Sequence, residues 1–159
     1  AQTYWPGRLQ LAALPQGRVL LDGAHNPDGA LSLAAALREE FAGEEISLVL
    51  GLFKDKDWRR MCELLAPLSR RILLVPVQNE RTIDPGTVLE HCRAEWPGLA
   101  VEPCATLREA LERAAGSGLA VATGSLHLVG EAMELLGLAS GMKPERELNE
   151  WDAARTDRR

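Results

Sequence analysis

Three short segments of the sequence set polar side chains among small residues in a way that suits anion or carboxylate chemistry. They are Asp22-Gly23-Ala24-His25-Asn26-Pro27, Gly51-Leu52-Phe53-Lys54-Asp55-Lys56-Asp57 and Thr123-Gly124-Ser125-Leu126-His127. Small residues let a backbone come close to a ligand. A helix that starts directly after such a loop offers free N–H donors and the positive end of its dipole to an anion. The same features belong to any ordinary strand-to-helix turn, so capping is the alternative reading of each segment. His25 is the sharpest residue of the set: it lies three residues after a carboxylate and one before a capping residue. Its imidazole can donate or accept a hydrogen bond. A lone histidine commonly fills a packing position, yet no apolar stripe here needs one. His91 falls inside a helical stretch and reads as a surface or partly packed residue, and His127 fits the first turn of the last helix.

The absences narrow the chemistry. Only three lysines occur, Lys54, Lys56 and Lys143, and none belongs to a G-x-x-x-x-G-K-[ST] loop. The G-x-G-x-x-G, G-x-S-x-G and H-E-x-x-H patterns are missing too. A complete phosphate cradle is therefore lacking. No two histidines stand at metal-ligand spacing, and no residue is assigned as a metal ligand. Asp22, Asp55 and Asp57 offer carboxylates to Mg²⁺, but isolated acidic residues at helix starts are more often caps. Cys62, Cys92 and Cys104 are odd in number, far apart and without a C-x-x-C pair. They suggest neither a disulfide framework nor a zinc site, and a reducing cytoplasm is the simplest compartment.

The elements that must hold these residues alternate along the chain. A loosely alternating run from Arg8 to Leu14 ends in the turn Pro15-Gln16-Gly17, and Arg18 to Leu21 reads as a buried strand. Asn26 suits an N-cap and Pro27 the first helical position. The helix they open has Ala30, Leu33, Ala34, Leu37 and Phe41 on one face, and Gly43 marks its end. Ile46 to Leu52 is the next strand, with Asp57 capping a helix through Leu65. Arg71 to Val75 is a strand, and Asp84-Pro85 opens a helix ending before Pro97. Leu99 to Val101 is a weaker strand, and Thr106 with Glu109 has capping-box spacing. Leu119 to Thr123 is the last strand, and Leu126 to Leu136 the last helix.

Strands alternating with helices predict β-α-β units with parallel pairing and right-handed crossovers. The expected fold is α/β and Rossmann-like: an open, mostly parallel sheet of about six strands with helices on both faces. The first strand should be an antiparallel edge, because a three-residue turn joins it to the second. Ligands in such sheets collect at the carboxyl ends of the strands, where all three segments fall.

The chain has 159 residues, enough for one domain with a core of its own. Its 46% hydrophobic and 26% charged residues exclude disorder of the whole chain. A net charge of −5 gives no broad attraction to nucleic acid or anionic lipid. No apolar run approaches the roughly 18 residues of a membrane helix, and the start shows no signal-peptide core. The expected division is a globular part over residues 1–142 and a charged, flexible tail over 143–159, in which Trp151 is one of few apolar residues.

At these residues the sequence resembles the C-terminal domain of the folylpolyglutamate synthase and dihydrofolate synthase family of the Mur ligase superfamily. The resemblance runs in order along most of the chain. Trp5-Pro6-Gly7-Arg8-Leu9 comes first, then Leu21-Asp22-Gly23-Ala24-His25-Asn26-Pro27. Gly51 with Asp55-Lys56-Asp57 follows, and last come Thr123-Gly124-Ser125-Leu126 and Val129-Gly130-Glu131. The D-G-A-H-N-P string is strongly specific in that position.

The resemblance implies an ATP- and Mg²⁺-dependent ligase. Such enzymes phosphorylate a carboxylate of a folate or dihydropteroate substrate, and the amino group of L-glutamate then attacks the acyl phosphate. It further implies that the phosphate cradle lies in a separate N-terminal ATPase domain, over which this domain closes, so that the chain alone should be inactive. By motif, Arg8 and Asp22 contact ATP, His25 and Ser125 hold glutamate with His25 also catalytic, and Asn26 shapes the loop. The guanidinium of Arg8 suits phosphate oxygens. Asp22 cannot favour direct phosphate contact, so water, Mg²⁺, a hydroxyl or an orienting bond to Arg8 is expected between them. Ser125 can donate to a carboxylate or simply cap its helix. Two alternatives stand beside this one: a domain of another Mur-type amino-acid ligase, and a non-catalytic nucleotide- or partner-binding module.

Overall fold

Successive strand residues point to opposite faces of a pleated sheet, and here both faces are apolar, so each needs its own layer of helices. The computed structural model describes residues 7–116 and 118–138. Their elements follow in the order β1 (Gln10–Leu14), β2 (Gly17–Leu21), α1 (Pro27–Glu40), β3 (Ile46–Leu50), α2 (Trp58–Leu65), β4 (Arg71–Leu74), α3 (Pro85–Glu95), β5 (Ala100–Pro103), α4 (Leu107–Ala114), β6 (Leu119–Thr123) and α5 (Leu126–Leu135). A 3-10 turn, Ala66–Leu68, extends α2. The strands form one sheet in the order β1-β2-β6-β3-β4-β5, with β1 antiparallel to β2 and every other pair parallel. This is the mostly parallel α/β sheet with an antiparallel edge expected from the sequence.

One face buries Leu20, Leu48, Leu50, Ile72, Leu74 and Val121 against α1, α2 and α3. The other buries Val19, Leu21, Val49, Leu73, Ala120 and Ala122 against α4 and α5. Caps set the helix starts. Asn26 accepts from the Gly29 N–H at 2.8 Å and Asp57 from the Arg60 N–H at 3.3 Å. Thr106 accepts from the Glu109 N–H at 3.1 Å, but the Glu109 carboxylate reaches back to the Ala105 N–H at 2.9 Å, not to that of Thr106. Asp84 precedes Pro85 and makes no side-chain cap bond.

Several boundaries differ from expectation for identifiable reasons. The edge strand begins at Gln10, not Arg8, because Gly7 (φ +74°) and Leu9 (φ +44°) take left-handed conformations that no strand contains. Two residues, Pro15-Gln16, close the hairpin, since Gly17 already pairs with Leu14. β3 ends at Leu50, before Gly51 turns out of the ladder. β4 likewise ends one residue early, at Leu74. β5 is shifted to Ala100–Pro103, its proline tolerated on a sheet edge. The boundary expected at residue 142 and the tail 143–159, Trp151 included, lie outside the described residues.

β2 and β6 are neighbours, yet α1 leaves β2 toward one face and α5 leaves β6 toward the other. Where neighbouring strands send their helices to opposite faces, a crevice opens at their carboxyl ends. The candidate residues converge there. His91 lies half-buried, edge-on to Trp58 at 5.2 Å and to Trp96 at 5.9 Å, and is a packing residue. All three cysteines are buried and unpaired by disulfide. The hydrogen bond with the neighbouring Cys92 thiol, and then burial, push the Cys62 thiol up, which suits a core group rather than a nucleophile.

Candidate functional site

The loop from Asp22 to Asn26 is tied down on every side. The Asp22 N–H donates to the Ala122 carbonyl at 3.1 Å, extending the β2–β6 ladder by one rung. The Gly23 N–H donates to the Gly7 carbonyl at 2.7 Å, and the Gly124 N–H donates to the Ala24 carbonyl at 3.1 Å. The loops after β2 and β6 and the turn before β1 are thereby held to one another. Gly51 joins them, its N–H donating to the Thr123 carbonyl at 3.2 Å.

A cavity of about 400 Å³ opens over this junction, lined among others by Arg8, Asp22, Gly23, His25, Asn26 and Leu126. Four of the five site residues expected from the sequence therefore line one space. Asp22 is only 7% exposed, and both its oxygens are engaged by backbone. Oδ2 accepts from the Leu9 N–H at 3.1 Å and Oδ1 from the Ala24 N–H at 3.0 Å. His25 is half-buried, with Nδ1 2.9 Å from the Gly23 carbonyl. A carbonyl can only accept, so Nδ1 donates and Nε2 is left for a ligand. In the neutral ring Nε2 accepts from an amine; in the protonated ring it donates to a carboxylate. Asn26 spends its side-chain oxygen on the α1 cap and so fixes where the loop becomes helix.

Ser125 sits differently. It is fully buried, and its hydroxyl accepts from the Leu128 N–H at 3.0 Å as the N-cap of α5. It is not among the residues lining the cavity. The neighbouring Leu126 is, with 60% of its surface exposed. Gly7 and Leu9, which shape the arm carrying Arg8, carried a signal in the W-P-G-R-L string, whereas Gln10, whose side chain accepts from the Gly7 N–H, carried none. For Leu126 the signal was present in the T-G-S-L string, since the first helical residue after a cap faces the loop it closes.

The Gly51 to Asp57 segment holds a second group beside the cavity. Asp55 pairs with Arg81 at 3.2 Å, and the Arg81 guanidinium lies 4.3 Å above the Phe53 ring. Phe53 meets His127 edge-on at 5.4 Å, and His127 Nε2 is 3.5 Å from Asn79 Nδ2. His127 thus occupies the first turn of α5, as expected. With Asp57 used as a cap and Asp55 as an ion-pair partner, neither carboxylate is held out for a cation. Among the described residues no three His, Cys, Asp or Glu side chains come together as a metal-holding group. The described residues of this chain do not fit a Mg²⁺ site.

Burial pushes the Asp22 carboxyl above the ordinary aspartate value of 3.8, outweighing the bonds from Leu9 and Ala24 and the nearby Arg8, which act downward. The folded chain holds this proton more tightly than the unfolded one, so the contribution to stability is fully present below 3.8 and is lost as pH rises through the raised value. The stability margin of the unsubstituted protein over an Asp22→Asn variant should therefore shrink as pH rises from 3.8 through the raised value. Paired urea midpoints across that range measure it; a margin that widens with pH would contradict the assignment.

Known proteins are similar to this chain in sequence and in fold. A bifunctional folylpolyglutamate synthase/dihydropteroate synthase assigned as probable in Haloferax volcanii is 33% identical over 157 residues, which is 96% of this chain and 18% of that protein. A crystal structure of folylpolyglutamate synthase from Thermotoga maritima superposes with a TM-score of 0.78 at 31% identity, covering 86% of this chain and 31% of that one. The Mycobacterium tuberculosis folylpolyglutamate synthase, solved in complex with ADP and AMPPCP, gives a TM-score of 0.77 at 26% identity, covering 90% and 34%. The chain thus spans between 18% and 34% of the length of each. The model of the Mur ligase glutamate ligase domain matches residues 7–126, a span that runs from the turn carrying Arg8 through the Asp22–Asn26 loop to Leu126 at the cavity rim. The chain belongs to the Mur ligase glutamate ligase domain family.

Proposed function

We propose that this chain is the nucleotide- and glutamate-contacting domain of an ATP-dependent ligase that adds L-glutamate to a folate or dihydropteroate carboxylate. The observation that carries the reading is the convergence of Arg8 and His25 on one cavity, with Asp22 bonded to the backbone beside each. A permanently charged fork and an imidazole with one free nitrogen suit a phosphate-bearing and an amino-acid substrate side by side.

In this proposal the terminal phosphoryl group of ATP passes to the pterin-side carboxylate, giving an acyl phosphate and ADP. The glutamate amino group then attacks the acyl carbon, the amide C–N bond forms, the C–O bond to phosphate breaks, and phosphate leaves. Arg8 faces the phosphate oxygens. His25 holds the incoming glutamate through Nε2, Asn26 keeps that loop in place, and Ser125 supports the same region from beneath as the cap of α5. The partner is an N-terminal ATPase domain of the same protein, which supplies the phosphate cradle that this sequence lacks, together with Mg²⁺. Closure of the two domains excludes water from a hydrolysable intermediate. The setting is cytoplasmic, in keeping with three reduced cysteines.

The test is glutamate-dependent ADP release with ATP, Mg²⁺ and either dihydropteroate or tetrahydrofolate, run on this chain and on the full-length product of its gene. Turnover by the longer protein alone is expected. Absence of turnover with either pterin, but activity on another carboxylate, would instead support a different Mur-type ligase.

A further inference from the structure

We propose that Asn79 and His127 are positioning residues that latch residues 77–83 to the start of α5, and that the latch holds only while the His127 ring is neutral. Its bearing on glutamate rests on the ligase reading above. Residues 77–83 cross the loop that follows β3. The Lys54 N–H donates to the Arg81 carbonyl at 2.9 Å and the Ile83 N–H to the Leu52 carbonyl at 3.0 Å, while Phe53 and Thr82 form an isolated antiparallel bridge. The Arg81 side chain adds its pair with Asp55 and its place over the Phe53 ring. All of these join the segment to the β3 loop. Toward α5, among the described residues, the polar link is the bond between Asn79 and His127.

The neighbours of that bond fix its direction. Asn79 Oδ1 accepts from the Arg81 N–H at 2.9 Å, so the group left 3.5 Å from His127 Nε2 is the amide nitrogen Nδ2, which can only donate. Nε2 must therefore accept, and it does so only in the neutral ring that carries its proton on Nδ1. A proton on Nε2 would set two donors against each other. It would also bring a second cation to Phe53, whose ring already has the Arg81 guanidinium 4.3 Å from its centre and meets His127 edge-on at 5.4 Å. Asp55, the acidic group on this side, is spent on Arg81, and Lys54 follows Phe53 in the chain. On α5 itself the carboxylates are Glu131 and Glu134, and Glu131, four residues on, is the one that a protonated ring can reach. Protonation thus trades Asn79 for Glu131 and frees the segment from α5. The seam so loosened borders the junction of loops under the cavity: a Cβ on Gly51 would stand 2.9 Å from Val77 Cγ2 and 3.1 Å from Leu128 Cδ1.

The experiment is amide exchange of the full-length protein, with the protection of residues 77–83 expressed relative to β4 at the same pH, so that the intrinsic rate cancels. Histidine changes charge between about pH 5 and pH 8. Across that range the relative protection of the parent should fall about threefold or more on acidification, the loss of one hydrogen bond. In His127→Gln it should stay level, because the amide oxygen of glutamine accepts from Asn79 whatever the pH. Asn79→Asp keeps the acceptor for the Arg81 N–H but offers His127 a carboxylate in place of a donor, so its protection should rise on acidification. A parent ratio that ignores pH, or an Asn79→Asp variant that follows the parent, would overturn the latch. The glutamate KM is the second measurement: from about pH 8 to about pH 6 it should rise about threefold more in the parent than in His127→Gln. Equal rises would overturn the bearing on glutamate. Failure of the full-length protein to ligate would remove the glutamate role given above, but the exchange result would still decide the latch, so the two failures are distinct.

Discussion

Gly124→Ala is expected to cost about 4 kcal/mol or more of folding stability, a large share of what a domain of this size possesses. Two independent facts make the site closed to a side chain. Its φ of +114° lies in a region that side chains rarely enter. A Cβ there would stand 2.2 Å from the Gly51 carbonyl oxygen and 3.0 Å from its carbon. Backbone lies on the other side of that contact, so no rotamer change relieves it. Any shift also stretches the Gly124 N–H bond to the Ala24 carbonyl and the Gly51 bond to Thr123, which hold three loops together. Gly130→Ala is the matched control. It lies within α5 with open space around its Cβ position, and should stabilise by about 0.5–1 kcal/mol through helix propensity alone. Urea unfolding of the two variants beside the parent measures both. A Gly124→Ala midpoint equal to that of the parent would show that the β3 and β6 loops do not approach as closely as described.

His25→Ala is expected to raise the glutamate KM of the full-length ligase about 10- to 100-fold, the loss of one hydrogen bond to a charged group. The ATP KM should move little, because Arg8 is held by its own turn. The ring is half-buried and bonded only through Nδ1 to the Gly23 carbonyl, so stability should fall by about 1 kcal/mol at most. Steady-state rates with each substrate varied in turn separate these effects. An unchanged glutamate KM would remove His25 from the binding of that substrate, and an equal rise in both KM values would point to collapse of the loop.

Features set by a few neighbouring residues were legible in the chain, and those that join distant segments were not. Asn26-Pro27, Asp57, Thr106 and Ser125 were legible as helix starts because a cap acts over three residues, and the structure uses each one. The short apolar runs in Arg18–Leu21 and Leu119–Thr123 were legible for the same reason, as was the clustering of three polar loops at the carboxyl ends of strands. The Asp22–Asn26 string pointed to one functional loop, and its residues do share one cavity.

What local pattern could not carry was every relation that needs two distant segments at once. Nothing in β6 says that it inserts between β2 and β3; that order follows from burying two apolar faces together and is what makes the crevice. Asp22 reads as a ligand-facing carboxylate, and only the fold shows both its oxygens held by the backbones of Leu9 and Ala24. Ser125 reads equally as a ligand and as a cap, and only packing puts it at full burial behind Leu126. Leucine has no preference for a positive φ, so the turn at Leu9 is imposed on it by the hydrogen bonds around it. The elements, their caps and the loops that form the site follow from short-range patterns of residues. Which side chains reach the cavity and which hold the others in place depends on the folded chain, because those choices rest on burial and on contacts between residues far apart in the chain.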